Sequence, residues 1–166
     1  MIRKMEQCDI SKCVKLIINA FMTVADEFDI TKENAPRFTA FAISDERLLW
    51  QYNNEHRLMF VYCENDEIIG YYSLVMSDNA ECELNNLCVS PEYRHRGIGA
   101  ALLEHAFEQA KTNNCTAINI GIVKENKVLH DWYESFGFFE IYTEKFDFFP
   151  FTCEYMKKIV EKGDIS

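Results

Sequence analysis

Leu87-Cys88-Val89-Ser90-Pro91-Glu92-Tyr93-Arg94-His95-Arg96-Gly97-Ile98-Gly99-Ala100-Ala101-Leu102-Leu103 is the stretch around which the rest of the chain is arranged. An apolar strand end runs into Pro91, which has no N–H to give to a ladder and so ends the strand. Three basic residues and two glycines follow, and then Ile98, Leu102, Ala106 and Ala110 recur at helical spacing. A strand, a short basic turn and a helix N-terminus make an anion site. The first N–H groups of a helix lack an internal partner, and the dipole there favours negative charge. Gly97 and Gly99 let a phosphate approach the backbone closely, and Arg94, His95 and Arg96 add positive charge beside it. Two other phosphate loops are excluded. The dinucleotide fingerprint would need a third glycine at Leu102, and the P-loop would need Lys-Ser/Thr where Ala100-Ala101 follow Gly99. The spacing alone fits a tight turn with a solvated basic face equally well.

Upstream, the strand over about Glu81 to Val89 breaks its own alternation. Cys82 and Leu84 share one phase, Leu87 and Val89 the other. Either the strand is buried on both faces, or it carries a β-bulge, for which Asn85-Asn86 is the simplest place. Before it, Leu58–Cys63 and Ile68–Met76 read as an antiparallel hairpin separated by Glu64-Asn65-Asp66-Glu67. The chain begins with a short strand over Ile2 to Glu6. Asp9 stands where an N-cap belongs, and Ile10, Val14, Ile17, Phe21, Val24 and Phe28 line one face of a helix ending near Asp29. Further helical turns cover Phe38–Ile43 and Asp45–Tyr52, the second capped by Ser44.

Downstream, Thr116, Ile118, Ile120 and Ile122 alternate as a strand. Strand, helix and strand imply parallel neighbours joined by a crossover. Lys124–Ser135 is a helix with Val128, Leu129, Trp132 and Phe136 on its apolar side, ended by Gly137. His130 falls on the opposite, exposed side. Two strands close the chain, Phe138–Phe146 and Thr152–Val160, separated by the aromatic loop Asp147-Phe148-Phe149-Pro150. The class is therefore α/β (α+β), with a mixed sheet of about seven strands flanked by helices. No linker or repeat divides residues 1–166, which read as one domain.

Composition bounds the function. A net charge of −10, from 17 basic and 27 acidic residues, disfavours a nucleic-acid binder and suits a cationic partner. The seven cysteines are odd in number and form no Cys-x-x-Cys pair, so they read as reduced thiols with no metal site. No apolar run is long enough to span a membrane and no signal peptide opens the chain, so the expected location is cytoplasmic with no membrane partner.

Arg94-x-x-Gly97-x-Gly99-Ala100, behind a Leu-x-Val-x-Pro strand end, resembles the acyl-CoA signature of the GNAT N-acetyltransferase superfamily. A second stretch, Asn126-x-x-Leu129-x-x-Trp132-Tyr133-Glu134-x-x-Gly137-Phe138, resembles that family's late motif, with Leu129 in place of a small residue. The two are in the family's order with a strand between them. The resemblance implies a central sheet splayed beside the bulged strand, with acetyl-CoA as cosubstrate in the opening and no metal. Backbone N–H groups of Arg94, His95, Arg96, Gly97, Ile98, Gly99 and Ala100 would hold the pyrophosphate. The pantetheine arm would run along Leu87, Cys88 and Val89, and Asn126 would contact it. Tyr133 would be the general acid toward the leaving sulfur. Glu83, six residues before Val89, matches the position of a carboxylate base, either through ordered water or as an attraction for the amine. The family's other acid, nearer the bulge, is Asn85 here.

The expected reaction is direct acetyl transfer to a primary amine of a small molecule or peptide. By the resemblance the acceptor site is built from the first helices and the loop before the last strand, which here offer Phe21, Asp26, Glu27, Phe28, Phe148, Phe149 and Phe151, and carboxylates among aromatic rings suit a cation with an apolar body. A homodimer is compatible with the sequence. The rival readings are an acyl-CoA-binding module without turnover, which needs the Arg94–Ala100 loop but neither Glu83 nor Tyr133, and a structural interaction domain that binds no CoA.

Overall fold

A computed structural model describes residues 1–160. Seven strands form one sheet: β1 (Ile2–Lys4), β2 (Leu58–Glu64), β3 (Glu67–Met76), β4 (Glu81–Val89), β5 (Ala117–Val123), β6 (Phe139–Glu144) and β7 (Cys153–Ile159). Their spatial order is β1-β2-β3-β4-β5-β7-β6. Five helices accompany them: α1 (Ile10–Glu27), α2 (Thr39–Ala42), α3 (Asp45–Asn54), α4 (Ile98–Thr112) and α5 (Lys127–Ser135). The expected mixed α/β class is the one observed.

Local chemistry explains most boundaries. Asn65 and Asp66 both adopt positive φ, the conformation a two-residue hairpin loop requires between twisted strands, and so join β2 to β3. The Ser44 hydroxyl accepts from the Arg47 N–H at 3.1 Å and starts α3. Asp9 occupies the N-cap position of α1 but does not cap it. Its carboxylate accepts from Arg3 at 2.7 and 3.1 Å and from the Glu6 N–H at 2.8 Å, tying β1 to the turn that precedes α1. Gly137, at φ 97°, ends the turn after α5.

Both faces of the sheet are covered. α1 and α3 bury Ile17 and Leu48 against Val61 and Tyr71 on one face. α4 and α5 bury Leu102, Leu103, Ala106 and Tyr133 against Ile69, Leu74, Ile118 and Met156 on the other. A third cluster joins the end of α1 to α2 and to the chain entering β7, around Phe38 and Phe151. Val128, expected on the apolar side of α5, is 80% exposed, because the helix turns that residue toward the open end of the sheet.

The sheet is not continuous along its length. β4 and β5 are parallel and pair only from Glu81–Glu83 to Ala117–Asn119. β5 stays fully paired with β7 on its far side. The departure coincides with a bulge in β4, where Asn86 and Leu87 together face Tyr72 of β3 and Asn86 adopts φ 56°. The bulge lies one residue later than Asn85-Asn86. An extra residue bends a strand away from its neighbour, and beyond Glu83 a gap opens between β4 and β5.

Candidate functional site

The start of α4 faces this gap. Gly97 holds φ 81° and His95 φ 65°, so the backbone coils tightly before the helix begins. No side chain caps the helix. Among the described residues, no protein acceptor takes the N–H groups of His95, Arg96, Gly97, Ile98, Gly99 or Ala100. Six neighbouring donors at the positive end of a helix dipole form a cradle for an anion.

The three basic residues divide their work. Arg94 is turned inward: its guanidinium donates to Thr23 Oγ1 at 3.0 Å and to the Ala20 carbonyl at 3.1 Å, fastening the loop to α1. Its N–H is spent on the Pro91 carbonyl at 3.5 Å. The basic side chains free to face a ligand are therefore His95 and Arg96, both exposed, with the Arg96 guanidinium 5.1 Å from the Tyr93 ring centre.

The free edge of β4 continues the cradle. The Ser90 N–H donates to the Ile69 carbonyl at 2.8 Å, on the β3 side. Backbone groups alternate along an antiparallel strand, so Cys88 also bonds toward β3 while Leu87 and Val89 direct N–H and C=O into the gap. These groups can accept an extended chain of amides as a further strand would.

Two cavities meet in the gap. One, of about 560 Å³, runs from the cradle along Leu87, Cys88 and Val89 to Trp132. The other, of about 320 Å³, lies toward Glu83, Phe149 and Tyr155. Leu87, Asn126, Leu129 and Tyr133 line both and so mark the junction. Asn126 caps α5, its Oδ1 accepting from the Leu129 N–H at 3.2 Å, which leaves its Nδ2 as a donor toward the junction. Tyr133 is 5% exposed, and its hydroxyl has no hydrogen-bond partner among the described residues. Burial, and secondarily Cys88, push its pKa well above the ordinary value. Glu83 stands at the open side of the smaller cavity, within reach of water. The surrounding protein nevertheless raises its carboxyl above the usual value by desolvation, against the opposing charge of Arg57.

The sequence-expected acceptor residues fare unequally. Phe149 lines the smaller cavity, and Glu27 lines the larger one, beside the cradle. Phe28 packs in the third core cluster, and Asp26 is exposed; neither lines a cavity. Several lining residues were missed by sequence reading. Phe38, Tyr155 and Gly121 face the smaller cavity beside the expected Phe21 and Phe151, and the alternation of β7 and β5 was the available signal for Tyr155 and Gly121. His130 is half-buried rather than on the surface, bridging the buried Glu154 at 2.8 Å and Glu134 at 3.1 Å. Among the described residues no helix is long and apolar enough to cross a membrane.

With this geometry in hand, the comparisons with known proteins are specific. The model of the acetyltransferase (GNAT) family matches residues 25–138, more than half of the chain. A [ribosomal protein bS18]-alanine N-acetyltransferase of Escherichia coli strain K12 is 29% identical over 99 residues, 59% of this chain and 65% of that protein. The chain spans about half to two thirds of the length of several curated relatives that it matches. Among solved structures, a PaiA N-acetyltransferase from Thermoplasma acidophilum in complex with coenzyme A superposes with a TM-score of 0.81 at 21% identity, covering 96% of this chain and 98% of that one. A putative acetyltransferase from Salmonella typhimurium with acetyl-CoA gives 0.77 at 18% identity, covering 100% and 96%. The match of the family model across the bulged strand, the amide cradle and α5, on a sheet of this topology, means that the chain belongs to the GNAT acetyltransferase family.

Proposed function

We propose that the protein is an N-acetyltransferase that moves the acetyl group of acetyl-CoA directly to a primary amine. The observation that carries the reading is the meeting, at Tyr133, of a cavity that starts on unpaired helix amides with a second cavity that starts on a carboxylate. The residues present fit the cosubstrate. A diphosphate suits six free amides with His95 and Arg96 beside them, and an amide-bearing arm suits the outward groups of Leu87 and Val89. Gly97 leaves the cradle open, since no atom lies within 4 Å of where its Cβ would be.

Acetyl-CoA supplies an activated acetyl thioester, and the chain's own groups handle position and protons. An alkylamine with a pKa of about 10.4 arrives as ammonium at neutral pH. Glu83 draws it in and accepts its proton through water, a task for which a raised carboxyl pKa is better matched than an ordinary one. As the amine nitrogen bonds the acetyl carbon and the carbon–sulfur bond breaks, charge gathers on sulfur beside the Tyr133 hydroxyl. That hydroxyl keeps its proton at neutral pH as an ordinary phenol does, and burial holds the proton more firmly still. Desolvation disfavours a bare thiolate there as it does at Cys88, so the sulfur takes the Tyr133 proton as its charge forms, and the phenol oxygen recovers a proton from water in the gap. Asn126 Nδ2 and the β4 edge hold the arm while this happens.

The test is thiol release from acetyl-CoA with a panel of amines, beside calorimetric binding of CoA. Amine-dependent release supports the transferase. Binding without release supports the sensing module, and absence of binding supports an interaction domain.

A further inference from the structure

The smaller cavity carries information about the acceptor that its family membership does not. Among the described residues lining it, Glu83 alone bears a charge. Four phenylalanines form one continuous wall: Phe21 meets Phe38 edge-on at 6.2 Å, Phe38 meets Phe151 at 6.1 Å, and Phe151 stacks on Phe149 at 4.7 Å and 20°. The floor is a fifth ring. Tyr155 lies against the backbone of β5 because position 121 is glycine; a Cβ there would meet the ring at 3.3 Å. Tyr142 backs Tyr155 at 4.5 Å and 23°, holding it flat.

Resting on the transferase reading above, we infer that the acceptor is a monocationic primary amine on an aromatic or bulky apolar body, carrying no carboxylate. The charge inventory makes the selection. One carboxylate neutralises one ammonium, so a polyamine would leave its further ammonium groups with phenyl faces alone, whose attraction offsets only part of the cost of removing each charge from water. An amino acid would bring a carboxylate with no cation to meet it. The Arg57 guanidinium, whose charge is felt at Glu83, does not line the cavity and is committed to Glu55 and Ser73. A sugar-like polyamine carries hydroxyls around its whole body, and those turned to Phe21, Phe38, Phe149 and Phe151 would lose water with no partner, since the polar side chains Thr39, Asn85, Asn86 and Asn126 make up only part of the lining. An aromatic body instead gains stacking on Phe149 and Tyr155 while its ammonium reaches Glu83.

The experiment compares kcat/KM for 2-phenylethylamine, phenylalanine, spermidine and a peptide beginning with alanine, all with saturating acetyl-CoA. The expected result is that 2-phenylethylamine leads each of the others by about tenfold or more, and that Phe149→Ala raises its KM by about three- to tenfold, the loss of one aromatic pair. The KM for acetyl-CoA should stay within about twofold in Phe149→Ala. Equal use of phenylalanine, or preference for spermidine or the peptide, overturns the inference and leaves the transferase reading intact. CoA binding with turnover of no amine overturns both.

Discussion

Nδ1 of His130 on α5 and Oε1 of Glu154 on β7 are 2.8 Å apart, and Glu154 is 3% exposed. This contact pins to the sheet the helix that carries Asn126 at its cap and Tyr133 at the cavity junction. Donating its Nδ1–H to the Glu154 carboxylate raises the His130 pKa above its ordinary 6.5, with Glu134 adding to it. Burial raises Glu154 as well, opposed by His130 and reinforced by Glu140. A histidine whose pKa is raised by folding contributes stability that is complete below about 6.5 and is lost as pH climbs through the folded value. Glu154 has the same sign, since a raised carboxyl pKa also favours the protonated folded state. Thermal unfolding should therefore show Tm falling as pH rises, Glu154 contributing above its ordinary 4.5 and His130 above its ordinary 6.5. His130→Gln should flatten that fall and cost about 1 kcal/mol at pH 6. An unchanged slope in the variant would show that another group sets it.

Arg94 and Arg96 sit two residues apart and should behave differently. Arg94→Ala removes the ties to Thr23 and Ala20, so it should destabilise the fold by about 2 kcal/mol and weaken CoA binding through the displaced loop. Arg96→Ala, from an exposed position, should leave stability within about 0.5 kcal/mol and weaken CoA severalfold. Its binding should also depend less on salt than that of the unaltered protein. Chemical denaturation and calorimetry at two salt concentrations separate the two effects.

Tyr133→Phe removes one hydroxyl that has no protein partner among the described residues, so folding should be little affected. The expected effect is on chemistry: kcat lower by about a hundredfold or more, with the KM for acetyl-CoA changed less than about threefold. Unchanged kcat would remove Tyr133 from the proton path.

Gly97→Ala tests the cradle by conformation rather than by volume. There is room for a methyl group, but φ 81° disfavours any L side chain. The substitution should cost about 1 kcal/mol of stability and raise the Kd of CoA, because relaxing φ misaims the amides from Gly97 to Ala100. Isothermal titration with CoA, beside a denaturation curve, reads both quantities.

Much of this protein is legible without coordinates, because its signals are local. Pro91, Gly97 and the spacing from Ile98 to Ala110 specify a strand, a tight turn and a helix. Glu64-Asn65-Asp66-Glu67 specifies a hairpin turn, and Ser44 a helix start, since backbone preference and capping depend on residues a few positions apart. The phase slip between Leu84 and Leu87 announces the bulge to within one residue, because alternation is itself a local property. Tertiary structure decided the rest. That β4 and β5 part after Glu83 and Asn119 depends on the bend in one strand and on the pairing of the other with β7. Arg94 turns toward α1 because its partners lie more than 70 residues earlier in the chain. Tyr155 can form a cavity floor because Gly121 of the adjacent strand has no side chain, and His130 has a buried partner because β7 lies beneath α5. Such contacts follow from how distant segments pack together, and periodicity within one segment carries no record of the segment that will face it.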